Sequence, residues 1–349
     1  MHKVDERDTM FARANYKRES ESYKDYYERN KDKKAIDDSI RNRPELGSEG
    51  GMTYNAINSP ISSSAFDFLD SIRHLCDQKS KCEKVVASKK TLTKRVKGLA
   101  KQYGADLVGI TKLEDYHYYT HRGRHEENYG EEITKHHKYA IVFASEMKKD
   151  MINRAPMFAE MVETSKCYVD VAIIGMILAN YISNLGYEAR NHMDANYLLM
   201  AVRVAKDAGL GQVGRNTVLT TKEFGPRVRL GVVTTDLELD TDEEIDFGLE
   251  DFCKLCNKCA HICPSQSLSN KLDKNTWKID QETCYIKWLY MGTDCGMCLS
   301  ICPFGQELDT IRETETFKDN NELIITALGE YKTKCGKRPF VPGNPDWLR

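Results

Sequence analysis

The sequence predicts a mixed α/β (α+β) core that is followed by a small cysteine-rich module. Segments with helical spacing and β-branched runs alternate between residues 85 and 247, whereas most of the twelve cysteines cluster between 253 and 302. The first 60 residues are polar and rich in charge, which is typical of a surface arm of short helices. These observations predict four regions, which are a polar N-terminal arm (1–84), a core (85–247), the cysteine module (248–310) and a C-terminal cover (311–349).

Overall charge argues against a polyanionic partner. The chain has 51 basic and 53 acidic side chains and a formal net charge of −2, so no strong field favours nucleic acid. No apolar run approaches the roughly 20 residues that span a bilayer, and the N-terminus has no hydrophobic signal core. The sequence as written therefore predicts a cytoplasmic protein.

The first half of the predicted core contains one helix and two strands. Apolar residues recur with helical spacing over 89–104. Short apolar runs at 107–110 and 139–144 predict buried strands, and the polar segment 112–138 between them predicts a loop. A helix that covers one face of a small sheet is the expected arrangement.

The second half of the core is predicted to begin with two helices. The first spans 166–185 and ends at Gly186, a residue suited to a helix C-terminus, and a brief extended link follows at 187–190. Apolar positions three and four residues apart predict the second helix over 194–208. Beyond it, the β-branched segments 217–221 and 228–235 predict two more strands.

Two cysteine runs, each closed by proline, carry the strongest chemical signal. They read Cys253-x2-Cys256-x2-Cys259-x3-Cys263 and Cys284-x10-Cys295-x2-Cys298-x3-Cys302. Three closely spaced cysteines wrap one cuboidal cluster, and its fourth ligand comes from the other run. This logic defines a first cysteine set, Cys253, Cys256, Cys259 and Cys302, and a second cysteine set, Cys263, Cys284, Cys295 and Cys298.

Zinc sites and disulfides are the alternatives to two 4Fe–4S clusters. Zinc usually takes well-separated ligand pairs, often with histidine, whereas these eight thiols form two groups of four. Disulfide frameworks are typical of small secreted domains and not of a 349-residue chain with scattered single cysteines. The spacing therefore favours a module that resembles a bacterial two-cluster ferredoxin.

Glycines at 209, 211 and 214 match the G-x-G-x-x-G pattern of dinucleotide-binding proteins. That fingerprint requires a strand before the first glycine and a helix after it, and here a predicted helix precedes the motif. The glycines are more consistent with a helix-ending turn that lets the backbone approach something large.

Three further side chains are candidates for a reactive site. Arg227 and Arg229 lie two residues apart on a predicted strand and so project from one face, an arrangement equally expected at a solvated strand edge. Tyr168 lies near the start of the long predicted helix, where an aromatic is more often part of the core. None of the three would be selected on its own.

Taken together, several segments resemble a corrinoid-dependent iron–sulfur reductive dehalogenase. They are Asp5-Glu6-Arg7-Asp8-Thr9-Met10-Phe11-Ala12-Arg13, Asp25-Tyr26-Tyr27, the segments 209–215 and 225–230, and the double cysteine module. The resemblance runs from residue 5 to about 310 and extends to epoxyqueuosine reductase, a tRNA-modifying relative. Where that relative has a catalytic aspartate, this chain reads Cys167-Tyr168-Val169, which favours the dehalogenase.

The resemblance implies a nitroreductase-like core that binds a base-off corrinoid beside the two 4Fe–4S clusters. Electrons would pass through the clusters to the corrinoid, whose Co(I) state removes halide from a small organohalide. It implies Tyr168 as proton donor, with Arg227 or Arg229 beside it to lower the tyrosine pKa. It also implies cofactor binding by the glycine motif and the two residues after it, namely Gly209, Gly211, Gly214, Arg215 and Asn216.

The resemblance leaves three questions of function and setting open. An external low-potential donor such as a ferredoxin, a flavodoxin or a membrane-associated partner is expected. Because respiratory members are exported, the chain could be the mature form of a membrane-associated protein instead of a cytoplasmic one. The alternative functions are a tRNA-modifying reductase and a corrinoid-free electron-transfer ferredoxin.

Overall fold

A computed structural model of the protein describes residues 3–134, 136–273 and 276–349. The strands are β1 (Asp77–Gln78), β2 (Leu107–Lys112), β3 (Tyr139–Glu146), β4 (Ala189–His192), β5 (Gln212–Val213), β6 (Leu219–Thr220) and β7 (Val228–Thr235). The α-helices are α1 (Met10–Asn15), α2 (Glu21–Arg29), α3 (Lys34–Arg41), α4 (Ser59–Ile72), α5 (Lys89–Gln102), α6 (Lys149–Ile152), α7 (Phe158–Asn184), α8 (Ala201–Asp207), α9 (Leu249–Cys256), α10 (Lys258–Ile262), α11 (Gln281–Met291), α12 (Met297–Ser300), α13 (Asp309–Glu313) and α14 (Asn321–Cys335). Within the described residues, no helix combines the length and apolar character needed to cross a bilayer.

A five-stranded sheet in the order β1-β4-β7-β3-β2 forms the centre of the core. Every pairing within it is antiparallel among the described residues, so the mixed architecture is α+β and not a parallel α/β sheet. In the central pair, β3 and β7, Arg229 lies opposite Ser145. The two predicted strands at 107–110 and 139–144 and the strand at 228–235 are confirmed as β2, β3 and β7.

The sheet is covered on both faces. On one face, α5 and α7 pack their apolar residues against Ile141, Phe143 and Val233, which are fully buried. On the other face, α8 packs against the alternate residues of the same strands, such as Val142 and Val232. Because both faces are buried, β3 is apolar along nearly its whole length, and that is why it could be predicted.

Two predicted elements differ in extent from the observed ones. The long helix α7 begins at Phe158, eight residues before the predicted start. The prediction missed this start because the N-cap residue, Met157, has no side chain that caps the helix and so gives no signal in the sequence. The extended link at 187–190 proves to be β4, which pairs with β7. Its burial between β1 and β7 could not be inferred from four residues of mixed polarity.

The helix predicted over 194–208 is wrong in its first half. Only α8 (Ala201–Asp207) is helical, because the preceding segment makes hydrogen bonds to distant residues. The Leu198 amide donates to His192 Nδ1 at 3.2 Å, and the Met200 amide donates to the His117 carbonyl at 2.8 Å. These hydrogen bonds replace the helical ones, so the helical spacing of apolar residues in this segment does not produce a helix. The strand predicted over 217–221 shortens to β6, which pairs with β5 in a separate two-stranded sheet.

The N-terminal region packs on both the core and the cysteine module. Helix α4 lies along α7, and β1 extends the sheet beside β4. In α1, Arg13 is 4% exposed and forms ion pairs with Asp37 and, across to the module, with Glu282 at 2.8 Å. The predicted boundaries of the four regions stay a prediction.

Candidate functional site

The first cysteine set surrounds a small buried space in the module. Helix α9 presents Cys253 and Cys256, α10 presents Cys259, and Cys302 follows α12. The four residues line one cavity together with Phe252 and Phe304. A cysteine from the second run thus joins three from the first, as the spacing logic expects.

The second cysteine set lines a different and much larger cavity. Cys263, Cys284, Cys295 and Cys298 all border it, with Cys295 only 8% exposed. Backbone conformation helps to present these thiols, because Gly296 adopts a φ of 60° as α12 begins. The two sets therefore stand side by side, one around a small cavity and one at the wall of the large cavity.

The donor set fits iron–sulfur clusters better than single metal ions. Across residues 3–134, 136–273 and 276–349, no three His, Cys, Asp or Glu side chains converge as they would on one ion. Burial raises the pKa of Cys253 to about 12 and that of Cys298 well above its usual value, so these two thiols would stay protonated without a metal. Binding iron would deprotonate them, because a coordinating thiol loses its proton to the metal.

The large cavity has a volume of about 1290 Å³, beyond the roughly 300–1,000 Å³ usual for small-molecule sites. It extends from the second cysteine set to the sheet and to the N-terminal region. Apolar walls come from Leu199, Val228 and Leu299, among others, and polar side chains on α7 and β7 also line the cavity. A large, mostly apolar ligand with a few polar attachments would suit this space.

Tyr168 and Arg229 meet at the wall of this cavity. Tyr168 lies on α7, Arg229 lies on β7, and both line the cavity. The Arg229 guanidinium carbon is 5.2 Å from the centroid of the Tyr168 ring. The sheet-covering helix thus places the ring of a phenol beside a permanent cation.

Neighbouring side chains hold Arg229 in place. Its Nη2 donates to Thr164 Oγ1 at 2.9 Å and lies 3.4 Å from Asp294 Oδ2. Glu160, which is fully buried, lies beside Asp294, and burial followed by the Asp294 carboxylate raises the pKa of Glu160. The raised pKa favours the neutral form of Glu160, and Asp294 is the carboxylate that pairs with Arg229.

The expectation that a cation lowers the Tyr168 pKa is wrong in its net direction. Burial raises the pKa of Tyr168 above the ordinary 10.0, and the opposing effect of Arg229 is smaller. The phenol therefore stays protonated at neutral pH. This state suits a proton donor, while Arg229 would stabilise the phenolate once the proton has left.

Arg227 does not share this position. Its guanidinium is 1% exposed and is not among the described residues that line the large cavity. It donates to the Gly305 carbonyl at 2.9 Å and to the Met147 carbonyl at 2.6 Å, and it pairs with Glu146 at 2.7 Å. Arg227 therefore joins the sheet to the cysteine module, and of the two arginines only Arg229 stands where it could act on a bound molecule.

The glycine motif approaches protein backbone and not the large cavity. Gly209 follows α8 with a φ of 73°, and a Cβ there would stand 2.3 Å from the Glu243 carbonyl oxygen. A Cβ at Gly211 would stand 2.4 Å from the Thr220 carbonyl oxygen. The motif is thus the helix-ending turn that the sequence analysis favoured. The backbone that its glycines allow to come close belongs to other segments of the protein and not to a bound ligand.

A substitution at Gly209 should therefore affect stability without removing a ligand contact. For Gly209→Ala we expect a loss of about 1–2 kcal/mol for the left-handed backbone, increased by the clash with the Glu243 carbonyl. The measurement is chemical denaturation compared with Gly98→Ala, since a Cβ at Gly98 meets no atom within 4 Å. Equal stability of the two variants would contradict this explanation of the motif.

The last two residues predicted with that motif have separate positions. Arg215, which is 2% exposed, lines the small cavity of the first cysteine set. Asn216 borders both cavities. The segment therefore lies between the two cysteine sets.

Sequence reasoning missed several polar residues at the large cavity. They are Arg124, Asp194, Tyr197, Thr164 and Asp294. Tyr197 and Asp194 fall in the segment wrongly predicted as helix, and Asp294 is one residue before a cysteine that dominates its surroundings in the sequence. The signal that could have found Asp294 is its proximity to Cys295, which places it beside the second set.

Comparison with known proteins first defines the class of the module. The 4Fe-4S dicluster domain family matches residues 252–306. The chain therefore carries a two-cluster iron–sulfur domain, the class indicated by its cysteine spacing and by the two thiol-lined cavities.

Relatives of known activity extend the similarity beyond this module. The chain is 30% identical over 271 residues to a tetrachloroethene reductive dehalogenase of Desulfitobacterium hafniense, covering 63% of this chain and 49% of that protein. It is 32% identical over 252 residues to the tetrachloroethene reductive dehalogenase of Sulfurospirillum multivorans, covering 61% and 50%. An epoxyqueuosine reductase of Lactococcus garvieae is 29% identical over 142 residues, covering 36% and 39%. The chain thus spans about half the length of the dehalogenases it matches.

The fold supports the same relationship. The structure of the catabolic reductive dehalogenase NpRdhA in complex with 3-bromo-4-hydroxybenzoic acid superposes with a TM-score of 0.77 at 23% identity, covering 97% of this chain and 47% of that one. A structure described as suggesting a mechanism for B12-dependent dehalogenation gives a TM-score of 0.76 at 22% identity, again with 97% and 47% coverage. The predicted resemblance to reductive dehalogenases is confirmed.

Proposed function

We propose that the protein is a corrinoid- and iron–sulfur-dependent reductive dehalogenase that acts on a small halogenated organic compound. One observation carries the proposal. A single cavity of about 1290 Å³ is bordered by the second cysteine set and by the Tyr168–Arg229 pair. A redox centre, space for a large cofactor and a proton donor thus share one enclosure.

The cavity fits a corrinoid in size and in lining. Its apolar walls could cover the macrocycle, and Asn216 and Thr217, which border it, could meet polar side groups. When bound, the corrinoid would supply strongly reducing cobalt, and the clusters would supply electrons. The cysteine sets are the proposed ligands of the clusters, and the motif segment would contribute Gln212 and Val213 to the cavity wall.

The protein's own contribution is to position the substrate and to supply a proton. Tyr168 Oη, protonated at neutral pH because burial raises its pKa, would donate to the carbon from which halide is lost. Arg229 would stabilise the resulting phenolate, and its cation could also attract the departing halide. Thr164 and Asp294 orient Arg229, so the cation stays in place when the ligand is exchanged.

Electrons would enter from an external low-potential donor at the first cysteine set. That set does not line the large cavity among the described residues, and its helix α9 carries the exposed side chains Lys254 and Leu255. The second set borders the cavity and would complete the path. A ferredoxin, a flavodoxin or a membrane-associated protein would serve as the donor.

We also propose that the sheet-and-helix core is of the nitroreductase-like type implied by the resemblance. The antiparallel sheet covered by α7 on one face and by α8 on the other supports this view. In this arrangement the start of β7 places Arg229 against the cavity, and the cysteine module forms another of its walls.

Each cluster is expected to take one ligand from the other cysteine run, and this arrangement can be tested by substitution. Cys302→Ser should lower iron from about eight to about four per chain and leave the signal of the second cluster, because Cys302 lines the cavity of the first set. Cys298→Ser should remove the other signal. Iron analysis with electron paramagnetic resonance spectroscopy (EPR) checks both variants. Loss of the same signal in both would contradict the proposed ligand sets.

Halide release is the direct test of the activity. Protein prepared anaerobically with corrinoid and a chemical reductant should release halide from chlorinated ethenes or bromophenols, and an epoxyqueuosine-containing tRNA is the control substrate. Turnover of the tRNA without halide release would replace the proposal with the tRNA-modifying alternative.

A further inference from the structure

Arg215 places a buried guanidinium at the wall of the first cysteine set. Its Nη2 donates to the Cys253 carbonyl at 2.6 Å, and its Nη1 donates to the Ser269 carbonyl at 3.0 Å. The residue is only 2% exposed and borders the same small cavity as the four thiols. These two bonds fix the position of a permanent positive charge.

An aromatic ring covers one face of the Arg215 guanidinium. The Arg215 Cζ lies 3.9 Å from the centroid of the Trp277 ring, and Trp277 itself lines the large cavity. Arg215 Nε has no hydrogen-bond partner in the part of the chain that the structure describes. The side chain is therefore held on two sides and keeps one donor unused.

The charge of Arg215 has no paired carboxylate among the residues that the structure describes. Arg227 pairs with Glu146 and Arg229 pairs with Asp294, but no described carboxylate forms an ion pair with Arg215. A buried charge is normally paired, because leaving water is costly. Two neutral carbonyls, an aromatic face and four thiols are what the structure places around it.

A 4Fe–4S cluster held by four thiolates would supply the missing negative charge. Such a cluster is negative overall, and it becomes more negative when it accepts one electron. A fixed cation beside it stabilises the reduced form more than the oxidised form, and net charge near a cluster is among the factors that set its reduction potential.

We propose that Arg215 is the counter-ion of the first cluster and raises its reduction potential, so that this cluster accepts electrons from the external donor. The inference deepens the proposed function and rests on its ligand assignment for the first set. It gives Arg215 a role at the first cluster that is distinct from corrinoid binding, and it concerns one-electron transfer in which no bond is broken.

The test is a redox titration of the fully loaded protein followed by EPR. In Arg215→Gln, one cluster signal should shift to a more negative midpoint potential while the other is unchanged, and the signal affected by Cys302→Ser identifies which cluster has shifted. Arg215→Lys retains the charge, so the midpoint potential of this cluster should lie between those of the wild type and Arg215→Gln. Arg227→Gln is the matched control, because it removes a buried guanidinium that lies outside the small cavity, and it should move neither potential.

Each outcome decides the inference. An Arg215→Gln protein with about eight irons and both potentials unchanged overturns it. Should this variant lose iron, Arg215→Met provides a second neutral side chain that can still pack on Trp277. If Arg215→Gln and Arg215→Met each lost about four irons while Arg215→Lys kept about eight, Arg215 would have a structural role in holding the cluster instead of a role in setting its reduction potential. Wild-type protein without two cluster signals would instead contradict the proposed function itself.

Discussion

Tyr168→Phe is expected to lower the dehalogenation rate by about 10²–10⁴-fold, the usual contribution of a positioned general acid. The substitution removes only the hydroxyl and keeps the ring that packs beside Arg229 and Phe66. Cluster and corrinoid content should therefore stay at the wild-type level. The measurement is halide release per bound cobalt under anaerobic conditions, since this ratio excludes differences in cofactor loading.

Tyr197→Phe is the matched control for this prediction. Tyr197 also lines the cavity, but its hydroxyl already donates to the Leu230 carbonyl at 2.8 Å. Its loss should cost stability and much less rate. Similar rates in the two variants would contradict the assignment of Tyr168.

The pH profile gives a second view of the same group. Because burial raises the pKa of Tyr168, the donor stays protonated through neutral and mildly alkaline pH. Deprotonation of Tyr168 should therefore not lower the rate at any pH below about 10, the ordinary pKa of tyrosine. A decline of the wild-type rate near neutrality that disappears in Tyr168→Phe would show that the pKa is lowered instead.

Arg229→Met should reduce the rate by about 10²–10³-fold, the effect of removing one preorganised electrostatic contact. It should also cost about 3–5 kcal/mol of unfolding free energy, because Asp294 loses its cation in a buried setting. Arg229→Lys keeps a charge but loses the planar guanidinium that reaches Thr164 and faces the Tyr168 ring. We expect it to recover most of the stability and only part of the rate.

Stability and activity must be separated for this residue. Rates should be measured well below the unfolding transition of each variant, with iron and cobalt quantified in the same sample. Full activity in a loaded Arg229→Met protein would remove the cation from the proposed chemistry. Arg227→Met should lose stability with little loss of rate, since Arg227 contacts Gly305 and Met147 outside the cavity.

The parts of the site that could be predicted were those encoded by local spacing. The division of eight cysteines into two sets follows from the reach of each run, and the strands β3 and β7 follow from continuous apolar or β-branched runs. The turn at Gly209 followed from the motif's place after a predicted helix. Each of these signals lies within about ten residues of sequence.

The rest depends on contacts that local sequence does not contain. Arg227 and Arg229 are alike in sequence, and only the packing of Gly305 against the former and of Tyr168 beside the latter separates their roles. The segment before α8 has helical spacing but forms hydrogen bonds to His192 and His117. The direction of the Tyr168 pKa likewise depends on burial, which outweighs a nearby cation.

The most direct test of the central claim is the cobalt and iron content of protein prepared anaerobically with corrinoid supplied, together with its visible spectrum. The proposed function predicts about one cobalt and about eight irons per chain, with a corrinoid spectrum that persists after gel filtration. About eight irons without cobalt would contradict it, because the cavity between the second cysteine set and Tyr168 would then hold no corrinoid, and an electron-transfer role would be favoured instead.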